Sequence, residues 1–357
     1  MKPVINPLEL DKKIGQLFIG GMPGPELDDN TITLIKDYHI SGIILFKRNI
    51  IDPVQLASLC RDVQSVAMDH IGIPLFLAID QEGGRVARLP HPFTQFQGNS
   101  AIGRDSRPEE KAAYFARTTG IEMSLVGLNM DLAPVLDVAR ANIDPHLEGR
   151  CFSENPHTVS MLGNIVINEL QHCGIMAVAK HFPGLGKADL DPHSQLPIIT
   201  VSHDEMKSVH LPPFAGAIEE NVSAIMSSHA IYPSLDQTLP ATLSANIMSK
   251  LLREKMGFSG LIISDDLEMG AIERVTGVPE GAANAFEAGI DLLLICSKQD
   301  YLLESIEIIK NRMLNGDISH ERLRRSLKRI GKYKNQFLLP PKIVSLKAVR
   351  CYFERKR

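Results

Sequence analysis

Short apolar runs alternate with longer amphipathic stretches along most of the chain. Runs at 14–20, 40–46, 74–80, 129–138, 175–180, 223–229, 260–264 and 291–296 carry the aliphatic, β-branched character of buried strands. Between them, helical periodicity is read over 26–38, from Asp52-Pro53 to about His70, from about Pro108 to Gly127, and over 157–172, 204–220, 244–256 and 279–288. Two more helices, 300–314 and 319–335, close the series. Asp52 followed by Pro53 has the form of a helix cap and its first turn.

Strands that read as near-continuous apolar runs, each followed by a helix, predict a parallel sheet covered on both faces. Eight such units predict a single-domain (β/α)8 TIM barrel over residues 1–337, with an open doubly wound sheet as the alternative if one strand is miscounted. Asp80, Lys180, His181, His229 and Asp265 all stand where a strand gives way to its loop, and a barrel would gather those ends at one mouth. The remaining stretch, 338–357, opens with LLPP and ends in ERKR. It reads as a basic C-terminal tail, docked or frayed rather than a functional arm.

Composition narrows the field. At 357 residues with 44% hydrophobic content the chain can bury a large core, and a net charge of −4 offers no basic face for nucleic acid. No stretch is long and apolar enough for a membrane span, and the first residues lack the pattern of a signal peptide. Five scattered cysteines with no C-x-x-C pair suggest free thiols in a reducing cytoplasm.

The chemistry concentrates in 178–197, VAKHFPGLGKADLDPHSQLP, where an apolar strand ends in Lys180-His181 and the following loop carries Asp191 and His193. A carboxylate two residues from an imidazole can orient the ring and favour its charged form, although a loop with incidental polar residues would look alike. In IISDDLEM, Asp265 and Asp266 point to opposite sides of an extended chain, and Asp265 is open to three roles: nucleophile, metal ligand or helix cap. In DQEGGRVAR, Asp80 with Arg88 could grip a polyol or form a plain structural bridge. Arg150 is a further candidate donor.

Four motifs in this order, AIDQEGGRVAR, GRCFSENP, AKHFPGLG…DPH and ISDDLEMGAI, resemble glycoside hydrolase family 3, and within it the single-domain β-N-acetylglucosaminidase (β-hexosaminidase) branch. The resemblance runs over roughly residues 10–315. It implies Asp265 as nucleophile, His193 as general acid/base oriented by Asp191, and sugar contacts from Asp80, Arg88, Arg150, Lys180 and His181. It also implies a retaining exo-hydrolase of terminal β-linked N-acetylhexosamine, with no metal or cofactor. The expected setting is cytoplasmic recycling of cell-wall muropeptides, by a monomer whose partner is its carbohydrate substrate rather than nucleic acid or membrane. Pro192, Leu185 and Cys151 depart from the commoner pattern. Two other readings differ in class: a metal-dependent amidohydrolase using Lys180, His181, His229 and Asp265, and a sugar-binding protein without catalysis.

Overall fold

The computed structural model describes residues 7–139, 146–186 and 196–356. Eight strands form a closed barrel: β1 Phe18–Gly21, β2 Gly42–Leu45, β3 Phe76–Ile79, β4 Met130–Asp131, β5 Met176–Phe182, β6 Ala224–Ser227, β7 Leu261–Asp266 and β8 Leu292–Ile295. Each pairs in parallel with its sequence neighbours, and β8 closes on β1, with Ile19 opposite Leu294. β1–β6 and β8 are buried along their whole length, as strands between a filled barrel and a helical ring must be. The expected (β/α)8 barrel is therefore the observed fold.

Two strands, β1 and β4, fall furthest short of the apolar runs that announced them. Residues Pro7–Gly15 form a helix instead of the start of β1, with Leu10 and Ile14 on its buried face at a four-residue spacing. A Cβ on Gly15 would lie 1.7 Å from the Tyr38 carbonyl oxygen, so only glycine lets the chain turn there into β1. In the fourth run the ladder stops at Asp131, and Pro134 has no N–H to continue it. Beyond Asp131 the run still accepts from β5, Val178 N–H to the Ala133 carbonyl and Lys180 N–H to the Pro134 carbonyl. Val135 forms a bridge with Lys180, the Leu136 N–H donating to the Lys180 carbonyl at 2.6 Å.

The helix Pro53–His70 begins as read: the Asp52 carboxylate accepts from the N–H groups of Val54 and Gln55 at 2.8 and 2.9 Å. Elements that were not read lie mainly at the mouth. After β3 the chain makes a small hairpin, Gln81–Gly83 against Val86–Ala87, turning on Gly83 and Gly84 with φ of +81° and +60°. A second hairpin, Ile231–Tyr232 with Asp236–Pro240, follows β6. The helix His320–Leu338 is followed by a further helix, Leu346–Glu354. Among the described residues no helix is long and apolar enough to cross a membrane.

Candidate active site

The mouth is built from strand ends, and its first half comes from β3, β4 and β5. Asp80 directly follows β3, and its carboxylate accepts from Lys180 Nζ at 2.8 Å and Arg88 Nη2 at 3.1 Å. Glu82, two residues on and on the same side of an extended segment, is buried between Lys180 at 2.7 Å and Arg150. Arg150 holds Glu82 with both arms of its fork, Nε at 2.8 Å and Nη2 at 2.7 Å. Lys180 is 2% exposed and Glu82 1% exposed, a depth at which neither charge is tolerable without the other.

His181, next along β5, places Nδ1 at 2.7 Å from Asp137 Oδ2. Its Nε2 lies 3.5 Å from the Arg150 Nη2 donor. The carboxylate only accepts and the guanidinium only donates, so the ring carries its proton on Nδ1 and offers a lone pair at Nε2. Asp137 also accepts the Leu185 N–H at 2.6 Å, which pins the start of the loop after β5.

Electrostatics follow from these contacts. Burial alone would push Asp80 up, but Lys180 and Arg88 outweigh it and hold the carboxyl well below the usual range. Glu82 is likewise lowered, with burial opposed by Lys180 and Arg150. Burial works against the charge of Lys180, yet Asp80 and Glu82 raise its affinity for a proton above the ordinary value. Asp131, fully buried below them, is the exception. Burial pushes it well up, only partly relieved by the Gln81 N–H at 3.0 Å and by Lys180.

The second half comes from β6, β7 and β8. Asp265 sits at the end of β7 and one of its oxygens accepts the Asp266 N–H at 2.8 Å. The next helix starts at Gly270 with Met269 before it, so Asp265 is not that helix's cap. Asp266 turns its carboxylate to the Glu268 N–H at 3.1 Å, while its carbonyl accepts from His229 Nε2 at 3.0 Å. His229 Nδ1 meets Thr242 Oγ1 at 2.7 Å. Burial raises Asp266 to about 7, with the neighbouring Glu268 and Asp265 charges adding to the effect. The Cys296 thiol just past β8 is pushed well up, first by burial and then by the charges of Asp266, Asp80 and Asp265.

Five of the expected residues, Asp80, Arg88, Arg150, Lys180 and His181, thus form one connected cluster, and the anticipated Asp80–Arg88 bridge is one edge of it. Asp265 stands apart, across the mouth. Asp191 and His193 lie outside the described residues. Glu82, Asp137 and Asp131 were not singled out. Glu82 carried a usable signal, the two-residue offset from Asp80 inside DQEGGR, and the other two are acids embedded in an apolar run. The amidohydrolase reading loses support because both ring nitrogens of His229 and Nδ1 of His181 are taken up in hydrogen bonds, and Lys180 is ion-paired. Among the described residues no group of three His, Cys, Asp or Glu side chains is arranged to hold a metal ion.

The mouth of this closed parallel barrel thus combines a cluster of paired charges with a carboxylate, Asp265, that has no cationic partner among the described residues. The glycosyl hydrolase family 3 N terminal domain matches residues 9–332, and the chain belongs to that family. A beta-hexosaminidase A of Pseudoalteromonas piscicida is 34% identical over 349 residues, 90% of this chain and 56% of that protein. A beta-hexosaminidase of Thiobacillus denitrificans is 34% identical over 280 residues, 77% of this chain and 76% of that one. The solved family 3 beta-N-acetylglucosaminidase of Paenibacillus sp. str. FPU-7 superposes with a TM-score of 0.90 at 34% identity, covering 97% of this chain and 68% of that one. The Beta-N-acetylhexosaminidase of Beutenbergia cavernae gives 0.84 at 25% identity, with 91% and 98% covered. The chain thus spans little more than half of the first relative and nearly all of the last.

Proposed function

We propose that this protein is a retaining exo-β-N-acetylhexosaminidase, with Asp265 as nucleophile and His193, oriented by Asp191, as general acid/base. The observation that carries the reading is the division of the mouth: a carboxylate without a cationic partner among the described residues stands opposite a cluster rich in donors and acceptors for sugar hydroxyls. Arg88 Nε, buried and without a partner among the described residues, is a donor that a hydroxyl would satisfy.

Asp265 attacks the anomeric carbon as the glycosidic bond breaks, through an oxocarbenium-like transition state, and forms a glycosyl-enzyme ester. His193 gives its proton to the departing oxygen, then takes one from the water that opens the ester, so two inversions restore the starting configuration. An imidazole with an ordinary pKa of about 6.5 does this near neutrality without an apolar pocket, and Asp191 would raise that value. The names of the relatives support a terminal β-linked N-acetylhexosamine as substrate. Wall-derived muropeptides, processed in the cytoplasm by a monomer whose barrel occupies 1–337, are the physiological setting we favour.

A chromogenic aryl N-acetyl-β-glucosaminide tests the activity, and purified protein that leaves it and every other aminosugar conjugate intact refutes it. His193→Ala should slow substrates with poor leaving groups far more than activated aryl glycosides, because only the former need protonation; equal losses would remove His193 from the acid role. Retained binding of N-acetylglucosamine without any turnover would favour the sugar-binding alternative.

A further inference from the structure

The family match ends at residue 332, yet the chain continues into a helix that touches the loop carrying Arg88. Helix Leu346–Glu354 is amphipathic: Ser345 caps it through the Ala348 N–H at 3.3 Å, and Val349 and Phe353, four apart, are buried. The Phe353 ring meets Phe93 edge-on with centroids 4.7 Å apart, and Phe93 is itself 1% exposed. Beyond the helix, Lys356 Nζ donates to Thr94 Oγ1 at 2.6 Å and pairs with Glu122, a buried carboxylate of helix Pro108–Val126. Glu122 also accepts both the N–H and the hydroxyl of Thr94, at 2.9 and 2.8 Å. Among the described residues Lys356 is the one cation within ion-pair distance of Glu122, whose burial without it would be costly.

Phe93 and Thr94 belong to the returning limb of the loop that leaves β3. That limb is tied at its front, where Gln81 Oε1 accepts the N–H groups of Arg88 and Leu89 at 2.9 and 3.1 Å. Gln95 Nε2 braces its middle, donating to the Leu89 and Phe93 carbonyls at 3.2 and 2.8 Å. The rear is held by the Gly84 N–H donating to the Phe96 carbonyl at 2.9 Å, by Phe96 edge-on to Phe115, and at Phe93 and Thr94 by the tail. Arg88 itself reaches Asp80 through a bridge at 3.1 Å in which its own side chain is 26% exposed, so its aim also depends on where the limb holds its backbone.

We infer that Phe353 and Lys356 are positioning residues for substrate binding, acting through Phe93 and Thr94 to hold Arg88 against Asp80. The inference rests on the assignment of Arg88 to sugar contact. Loosening the rear anchor lets the limb sample more conformations, and the binding-competent fraction falls. The nucleophile on β7 is untouched, so the loss belongs to binding and not to the chemical step.

The experiment uses full-length protein carrying Phe353→Ala, Phe353→Leu or Lys356→Met, with the exposed Arg350→Ala as control. Three readouts are taken: amide hydrogen exchange at 86–97, calorimetric Kd for N-acetylglucosamine, and KM and kcat on the aryl glycoside. Phe353→Ala and Lys356→Met should exchange faster at 86–97 and raise both Kd and KM about 3- to 10-fold, with kcat within about twofold. Phe353→Leu should recover most of the Phe353→Ala loss, and the control should match the parent. Unchanged exchange at 86–97, faster exchange with unchanged Kd, or parallel loss of kcat and folded fraction would each overturn the inference. If the parent binds N-acetylglucosamine but leaves the aryl glycoside uncleaved, the hydrolase reading fails while Kd still decides this one; a parent that neither binds the sugar nor cleaves the glycoside defeats both.

Discussion

The two halves of the mouth solve opposite electrostatic problems. On the β3–β5 side, Asp80 and Glu82 meet Lys180, Arg88 and Arg150 at hydrogen-bond distance, and Asp137 accepts from the neutral His181 ring. On the β6–β8 side, Asp265 and Asp266 adjoin each other, and among the described residues no lysine or arginine pairs with either. A carboxylate clamped in a guanidinium fork shares its lone pairs and is a poor nucleophile. One held, among the described residues, by a single backbone N–H keeps electron density to give. On the proposed mechanism, the paired half recognises the sugar and the half without cationic partners among the described residues supplies the nucleophile.

The sharpest way to break that contrast is Asp265→Asn. It keeps the shape and the hydrogen bond from Asp266 but removes the attacking charge, and turnover of the aryl glycoside should fall by about 10⁴-fold or more with sugar affinity retained. Substantial residual activity would move the nucleophile elsewhere. Glu82→Gln comes next, on the other side. It leaves Lys180 and Arg150 without their shared buried anion, and losing one partner of such a set costs about 3–5 kcal/mol of stability. Urea unfolding should register that loss, and KM should rise with it. If Asp265→Asn destabilised the fold and Glu82→Gln did not, the division of labour argued here would be reversed.

Asp266 sharpens the comparison through pH. Its carboxyl titrates near 7 in the folded protein, against about 3.8 for its ordinary value. A raised acid binds its proton more tightly when folded, so its contribution to stability is complete below about pH 4 and drains away as pH rises to about 7. Asp266→Asn is neutral throughout and escapes that loss. Relative to the parent it should be nearly indifferent at pH 4 and gain on the order of 4 kcal/mol by pH 8, read from denaturation midpoints at both pH values. A variant–parent difference that stays constant with pH would place Asp266 in a more solvated setting.

Much of this was legible before the coordinates. Asp52-Pro53 named a helix start because side-chain capping is a local contact, and Lys180-His181 was found because a strand that ends in two ionisable residues is conspicuous. The cluster's own centre was not. Glu82 looks like one more polar residue beside a glycine pair until the barrel sets β5 two strands along from β3, with β4 between them, and brings Lys180 to it from 98 positions away. Asp137 and Asp131 sat inside a run taken for one continuous strand, which Pro134 in fact interrupts. The charged end of the tail masks the four-residue spacing of Val349 and Phe353 that makes it an amphipathic helix. The expected acid/base pair, Asp191 and His193, lies outside the described residues, so its place in the mouth rests on the family motif.

The smallest change that bears on the contrast is Arg150→Lys. Both side chains are cationic, so a half-mouth held together by net charge alone would not notice the exchange. Arg150, however, grips Glu82 through two nitrogens at once and sets a third contact toward His181 Nε2. A lysine ammonium reproduces one of these and lacks the planar fork. Losing one charge-assisted hydrogen bond costs about 1.5–3 kcal/mol where the partner stays buried, and here Lys180 still answers Glu82. The expected result is therefore at the low end, a rise of about tenfold in KM with kcat nearly unchanged. An unaltered KM would mean that charge, not geometry, organises this side of the mouth; a fall in kcat alone would mean that Arg150 acts on the reaction itself.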